Sequence, residues 1–291
     1  MTTMTCLADA PVLNLDLQAI DRSYAVTGIN SPREMSPHLI DDSTTVVLLD
    51  IIRCTTTLTA ALAAGTRALH VRVKGDTDDT PEDLAAEHVA IHGNAPYILA
   101  GEKHGKPIPG GIFANSVLDV PADLTDVITY FFSTNLGRAY TKVTTSVVAS
   151  GHTDTPVLIG CMANLPTLAG QINELGRSRL LIVCGGFYDR LSLEDAVGAG
   201  RLIERLGRSE EDLDDGAQAM DALADRYRHD DHLIRALHHN RIGKGLTHYG
   251  RSADIPAAIT GAGVTPTLWS AMTRTVGRLT WIGSEPAITV A

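Results

Sequence analysis

The stretch from Thr45 to Ile51, TVVLLDI, is an apolar run with no polar alternation until Asp50. A strand of this kind is buried on both faces, which requires a parallel sheet covered by helices on both sides. Arg53-Cys54-Thr55-Thr56-Thr57 follow, and then LTAALAAG, an alanine-rich segment that reads as a helix closed by Gly65. Strand, loop and helix form one unit, and parallel strands can be joined only through such crossovers.

The same rhythm recurs along the chain. Residues 68–73, 97–100, 127–132, 156–160 and 179–184 read as strands, and 136–146, 164–175 and 192–206 as helices. Thr80-Pro81-Glu82-Asp83 marks another helix start, with proline at the first position and acids in the first turn. From about Ser209 the chain turns helical and charged. EEDLDDGAQAMDALADRYRHDDHLIRALHH predicts two helices packed on the core, its acidic stretch a solvated face. The expected fold is three-layer α/β, a mostly parallel or mixed sheet flanked by helices, with extra C-terminal helices. No repeat or low-complexity linker divides it, so residues 1–291 are read as one domain. Residues 1–40 form an irregular lead-in and 209–250 a helical insertion or C-terminal part.

Charge narrows the function. Among 291 residues, 24 Lys+Arg against 34 Asp+Glu leave −10, which argues against a nucleic-acid binder held by a basic face. An anion site must then be made locally, from arginines and backbone N–H groups. No window reaches roughly 18 apolar residues, and the start lacks a basic region followed by an apolar one. A cytoplasmic protein without membrane contact is expected. Cys6, Cys54, Cys161 and Cys184 are scattered, with no C-x-x-C pair, and are read as reduced thiols.

In open α/β sheets ligands collect beyond the carboxyl ends of the strands. Four segments lie there: 50–57, Gly101-Glu102-Lys103, Ser133-Thr134-Asn135-Leu136-Gly137-Arg138, and 184–190. The first puts a carboxylate, an arginine and three hydroxyls at a helix start, which suits a metal ligand or nucleophile beside an anion cradle. A plain helix cap explains the threonines equally well. A D-x-D-x-T phosphatase motif is absent because Ile52 occupies the second acidic place, and the Gly-Lys at 243–244 and Gly198/Gly200 fit no nucleotide motif. Cys184 to Arg190 has the Cys-x5-Arg spacing of a thiolate phosphatase, though a strand-terminal cysteine also suits packing. Ser192-Leu193-Glu194-Asp195 reads as a capping box. His88 and His92, i and i+4 on a helix, could share a metal but are read as exposed polar residues.

Taken in order, these pieces resemble the Mg2+-dependent 2-phosphosulfolactate phosphatases of coenzyme M biosynthesis and their bacterial relatives. VVLLDIIRCTTTLTAALAAG is similar to the family's D-x-x-R-x-T-T strand and helix, and LAGEKHGKPIPGGIFANS to its G-E-x-x-G…G-F…N-S loop. FFSTNLGRA is similar to T-T-N-G-T-R-A, VLIGCMAN fills the next place, and IVCGGFYDRLSLEDAVGAG is similar to C-A-G-T-x-G-R-x-S-x-E-D and the helix after it.

The resemblance implies phosphomonoester hydrolysis with Mg2+ as cofactor. It points to Asp50, Arg53, Glu102, Cys184 and Asp195 as catalytic, and to Thr55, Thr56, Asn115, Ser133, Thr134, Asn135, Arg138 and Arg190 as substrate-binding, with His238 a weaker match. Asp50 and Glu102 are assigned as oxygen ligands to Mg2+, or Asp50 as nucleophile, and Arg53, Arg138 and Arg190 as anion clamps. Expected partners are a small phosphorylated or anionic substrate and a second copy of the chain in a homo-oligomer, a dimer. Leu136, Phe187 and Asp189 replace the family's Gly, Thr and Gly in loops assigned to the site. These departures predict a substrate other than phosphosulfolactate, less anionic than it. Two alternatives remain open: a lyase or isomerase on the same scaffold, and a non-catalytic small-anion-binding protein.

Overall fold

The computed structural model describes residues 17–73, 81–103, 106–261, 273–276 and 279–282. The chain begins with α1 (Leu17–Asp21), β1 (Val26–Ile29), β2 (Thr44–Leu49), α2 (Cys54–Ala63), β3 (Ala68–Val73) and α3 (Pro81–His92). Then come β4 (Tyr97–Lys103), β5 (Lys106–Pro107), β6 (Gly111–Phe113), β7 (Ile128–Ser133), α4 (Asn135–Ser150), β8 (Val157–Gly160), α5 (Leu165–Leu175) and β9 (Arg179–Cys184). It continues through α6 (Leu193–Leu206), α7 (Asp215–Arg226), α8 (Asp230–His239), α9 (Arg241–His248) and α10 (Asp254–Thr260) to β10 (Thr273–Val276) and β11 (Leu279–Ile282).

The α/β class stands, but the strands form two sheets. The first, ordered β1-β9-β2-β8, is wholly parallel. The second, ordered β10-β11-β3-β7-β4-β5 with β6 also beside β4, is mixed: β3, β7, β4 and β6 are parallel and the remainder antiparallel.

The opening apolar run behaves as its composition requires. Val47 and Leu49 of β2 face one core with Leu168 and Ile172 of α5 and Val197 and Leu202 of α6. Val46 and Leu48 face a second core, shared with Leu58 of α2, Val143 of α4, and Leu69 and Phe131 of the other sheet. The period of two along β2 thus feeds two cores at once.

Two expectations are corrected. Residues 1–40 are not irregular throughout: β1 lies inside them, fully buried and paired with β9 from Val26↔Leu180 to Ile29↔Val183. Its four residues, VTGI, are too short to show a period, and the glycine lowers their strand propensity. The C-terminal part holds the two expected helices, α7 and α8, and then two more, α9, which covers the strand ends, and α10. Among the described residues, no helix is long and apolar enough to cross a membrane.

Candidate active site

A cavity of about 380 Å3 opens where β2, β4, β7 and β9 end. Its polar side carries Asp50, Arg53, Glu102, Asn115, Ser133, Thr134 and Asn135; its apolar side carries Ile52, Phe132, Phe187, Tyr188, Ile242, Leu246 and Tyr249, with Gly245. Three of the four segments singled out in the sequence reach it through residues expected to be functional. The fourth, 184–190, contributes Phe187 and Tyr188 instead of its cysteine and arginine.

Asp50 follows β2 directly and is held in the gap before α2. Its carboxylate accepts the amide of Cys54 at 3.3 Å, and the backbones of Arg53 and Leu136 also hydrogen-bond to it. Helix starts favour an anion in this place. Burial outweighs them and pushes the Asp50 carboxyl up to about 6. Gly185 makes room for it, because a Cβ there would lie 2.9 Å from Asp50 Cβ.

Glu102 is placed by a close strand approach. Gly101, at φ +119, sits opposite Phe132, and a Cβ on it would be 2.4 Å from the Phe132 carbonyl oxygen. Arg53, 7% exposed, joins the two halves of the site. One Nη pairs with Glu102, and the other donates to Asp254 Oδ2 at 2.7 Å, while Ser116 donates to Asp254 Oδ1 at 2.6 Å. Among the described residues of the lining, the one cation is therefore engaged by two carboxylates. Asn115, next to Ser116, lines the cavity, and its buried Oδ1 has no hydrogen-bond partner.

Several expected site residues lie elsewhere. Thr55 and Thr56 are buried in the start of α2. Thr55 Oγ1 accepts the Asp50 amide at 3.2 Å and Thr56 donates to the Ile51 carbonyl at 2.8 Å, so both hydroxyls tie the start of α2 back to the Asp50 loop, and neither caps the helix. Arg138 is exposed on α4, between Leu136 and Tyr140, which enter the core, and it does not line the cavity. Arg190 is also exposed and outside the lining. The tight turn closed by Phe187 N–H to Arg190 O (2.9 Å) and Arg190 N–H to Phe187 O (3.3 Å) carries it away. The expected cluster of three arginines is not formed.

Cys184 is 1% exposed, and burial, with Asp195 and Glu194 nearby, pushes its thiol well above the ordinary range. A thiolate nucleophile is not available there. Asp195 does not line the cavity either. It is buried beneath two of its loops and accepts the Ile51 amide at 2.7 Å and the Gly186 amide at 3.1 Å, tying the Asp50 loop to the Phe187 loop. It positions the site from below. The expected capping box at Ser192 makes no side-chain cap hydrogen bond.

The departures at 136, 187 and 189 also resolve differently. Leu136 points into the core, so it does not crowd the cavity. Asp189 pairs with Arg33 at 3.0 Å and stays out of the lining. It adopts φ +57, a left-handed conformation in which glycine would be unstrained. Phe187 does enter, with Tyr188 against it at 4.8 Å between ring centres. His88 is not an exposed polar residue: it is buried, with Nδ1 3.1 Å from Tyr130 Oη and Nε2 2.8 Å from the Ala95 carbonyl. Among the described residues, no cluster of three His, Cys, Asp or Glu side chains could hold a metal by itself.

Sequence reasoning missed Asp254 and the α9 wall. Ile242, Leu246 and Tyr249 stand at i, i+4 and i+7, the spacing of one apolar helix face, and that was the available signal. Asp254 offered none, since an acid in a first helical turn is ordinary.

A model of the 2-phosphosulpholactate phosphatase family matches residues 29–264. A probable 2-phosphosulfolactate phosphatase of Gloeobacter violaceus is 30% identical over 225 residues, covering 76% of this chain and 86% of the relative. Proteins described in the same words are 29% identical in Thermosynechococcus vestitus, over 72% of this chain and 82% of the relative, and 30% identical in Thermus thermophilus, over 72% and 81%.

Proposed function

Because the chain belongs to the 2-phosphosulfolactate phosphatase family, whose members are phosphoric monoester hydrolases, we propose that it hydrolyses a small phosphomonoester with Mg2+ as cofactor, and that its substrate is not phosphosulfolactate. One observation carries the metal: Asp50, Glu102 and Asp254 gather around a single guanidinium, a surplus of two negative charges when all are ionised. A phosphate dianion would be repelled by such a site unless a cation came with it.

The donors suit a hard divalent ion. Asp50, Glu102 and the unpartnered Oδ1 of Asn115 offer oxygen only, and Mg2+ is bound through one or two carboxylates with water filling its other places. Asp50 and Glu102 would hold it. The ion would neutralise charge on the phosphoryl oxygens. Around it, Arg53 keeps Glu102 in place and can turn donors toward a phosphoryl oxygen. Ser133, Thr134 and Asn135, at the turn from β7 into α4, direct hydroxyl and amide groups at the same space. Depending on where Mg2+ settles, Asp50 serves as its ligand or attacks phosphorus.

The shortage of cations supports the second part. Phosphosulfolactate carries sulfonate and carboxylate beside its phosphate, and neither Arg138 nor Arg190 lines the cavity to receive them. The test is phosphate release from a panel of small phosphomonoesters, with Mg2+ and with chelator. Release that needs Mg2+ and falls about a hundredfold or more in Asp50→Asn is expected. Release unaffected by chelation overturns the metal role, and phosphosulfolactate as the best substrate overturns the substrate reading.

A further inference from the structure

The cavity lining is of two chemical kinds, and only the polar one is explained by phosphate. Phe132, Phe187, Tyr188, Ile242, Leu246 and Tyr249 make the other. From this wall we infer that the substrate is a phosphomonoester of an uncharged alcohol or phenol with an apolar, ring-sized body. The inference rests on the phosphatase reading and adds the class of the group that leaves.

Three features support it. First, the wall has no charge to meet a second anion. Among the described residues of the lining, Arg53 is the one cation, and Glu102 and Asp254 already occupy it. Arg241 stacks on the Phe187 ring, its guanidinium 5.7 Å from the ring centre; it bonds the Leu191 carbonyl and does not line the cavity. Burying a carboxylate or sulfonate against this wall would leave it unpaired, which is costly.

Second, the wall is held in shape before any ligand arrives. The Phe187 ring meets Tyr188 edge to face at 4.8 Å, with Arg241 against it, and its loop is tied to the Asp50 loop through Asp195. A preformed aromatic wall favours a flat apolar group and costs little ordering on binding. Tyr188 and Tyr249 line the cavity and are 64% and 46% exposed, so they present aromatic surface to an incoming ligand. Third, the volume suits a small ester. About 380 Å3 is near the lower end of the ~300–1,000 Å3 of ligand pockets, enough for a phosphate and one ring.

Hydrolysis would cleave the phosphoryl bond, with water supplying oxygen to phosphate and a proton to the departing alkoxide or phenoxide. The apolar wall would receive that leaving group.

The test compares ligands differing only at the inferred end. Benzyl phosphate and phosphoglycolate are assayed for phosphate release with Mg2+, and benzylphosphonate and phosphonoacetate, which cannot be hydrolysed, are titrated by calorimetry. Benzyl phosphate is expected to exceed phosphoglycolate about tenfold or more in kcat/KM, with the same ordering in phosphonate affinity. Phe187→Ala should reduce the benzyl-to-glycolate ratio about tenfold and Phe187→Tyr should keep it, a change of selectivity that loss of folded protein would not produce. Equal or tighter binding of phosphonoacetate overturns the inference. Absence of phosphate release from every ester, with benzylphosphonate still preferred, overturns the phosphatase reading and leaves the apolar-ligand inference standing.

Discussion

Glu194→Gln should make the protein more stable above neutral pH and leave it nearly unchanged in acid. Glu194 is the second residue of α6, 1% exposed, and its Oε2 has no hydrogen-bond partner. Burial pushes its carboxyl up from 4.5 to about 7; its own backbone amide and Ser192 oppose this, and the Asp50 charge adds to it. A helix N-terminus favours a carboxylate by at most about 2 kcal/mol, so here burial wins.

The sign follows from proton linkage. Between pH 4.5 and about 7 the folded protein keeps a proton that the unfolded chain has released, so stability falls as pH rises through that window and levels off above it. The gap corresponds to roughly 3 kcal/mol at pH 8.5 and to less than about 1 kcal/mol at pH 5. Glutamine has the same shape and does not titrate. In metal-free buffer, urea unfolding of wild type and variant should therefore diverge from within about 1 kcal/mol at pH 5 to roughly 3 kcal/mol in the variant's favour at pH 8.5. That difference would shift Tm by roughly 5 °C for a chain of this size. The Glu194 charge lies near those of Asp195 and Asp50 and disfavours their ionisation, so the acid limb of kcat/KM should also move to lower pH in the variant. A difference independent of pH, or one that favours wild type at pH 8.5, refutes the reasoning.

Asp254→Asn removes one of the two negative charges on buried Arg53 and leaves a single oxygen to accept from both Arg53 and Ser116, and should cost about 1–3 kcal/mol in urea unfolding. Leu136→Gly, which restores the family's glycine, should cost about 3 kcal/mol or more because the Leu136 side chain fills a core; it should give no gain in phosphosulfolactate turnover by phosphate release. Cys184→Ala should keep kcat/KM within about threefold, since the thiol is buried and outside the cavity, whereas a thiolate mechanism requires its loss.

Legibility was greatest where backbone chemistry decides. TVVLLDI could only be an interior parallel strand, and the residue after it, Asp50, could only stand at a carboxyl end, so fold and first site residue came from one pattern. The same logic found Glu102 after β4 and Ser133 to Asn135 after β7. It failed for short or exceptional segments. VTGI was too brief to show a period, and the division of the strands between two sheets leaves no mark on any one strand. His88 looked like a surface residue on a polar helix, because nothing local reveals that Tyr130 and the Ala95 carbonyl satisfy both ring nitrogens.

Arginines expose the deeper reason. Arg53, Arg138 and Arg190 all lie in the right loops, and sequence order cannot tell which side of a loop or helix faces the cavity. A one-residue difference on α4 separates Arg138, in solvent, from Ala139, in the core, and a left-handed pair of residues, Tyr188 and Asp189, turns Arg190 outward. With two of three guanidiniums gone from the site, its local charge has the same sign as the chain's net −10. An anionic substrate then has no favourable field to enter until a cation is bound. Under the proposed function, metal first and phosphoester second is the order that this charge distribution would favour, and the apolar wall, indifferent to charge, would choose among the esters then admitted.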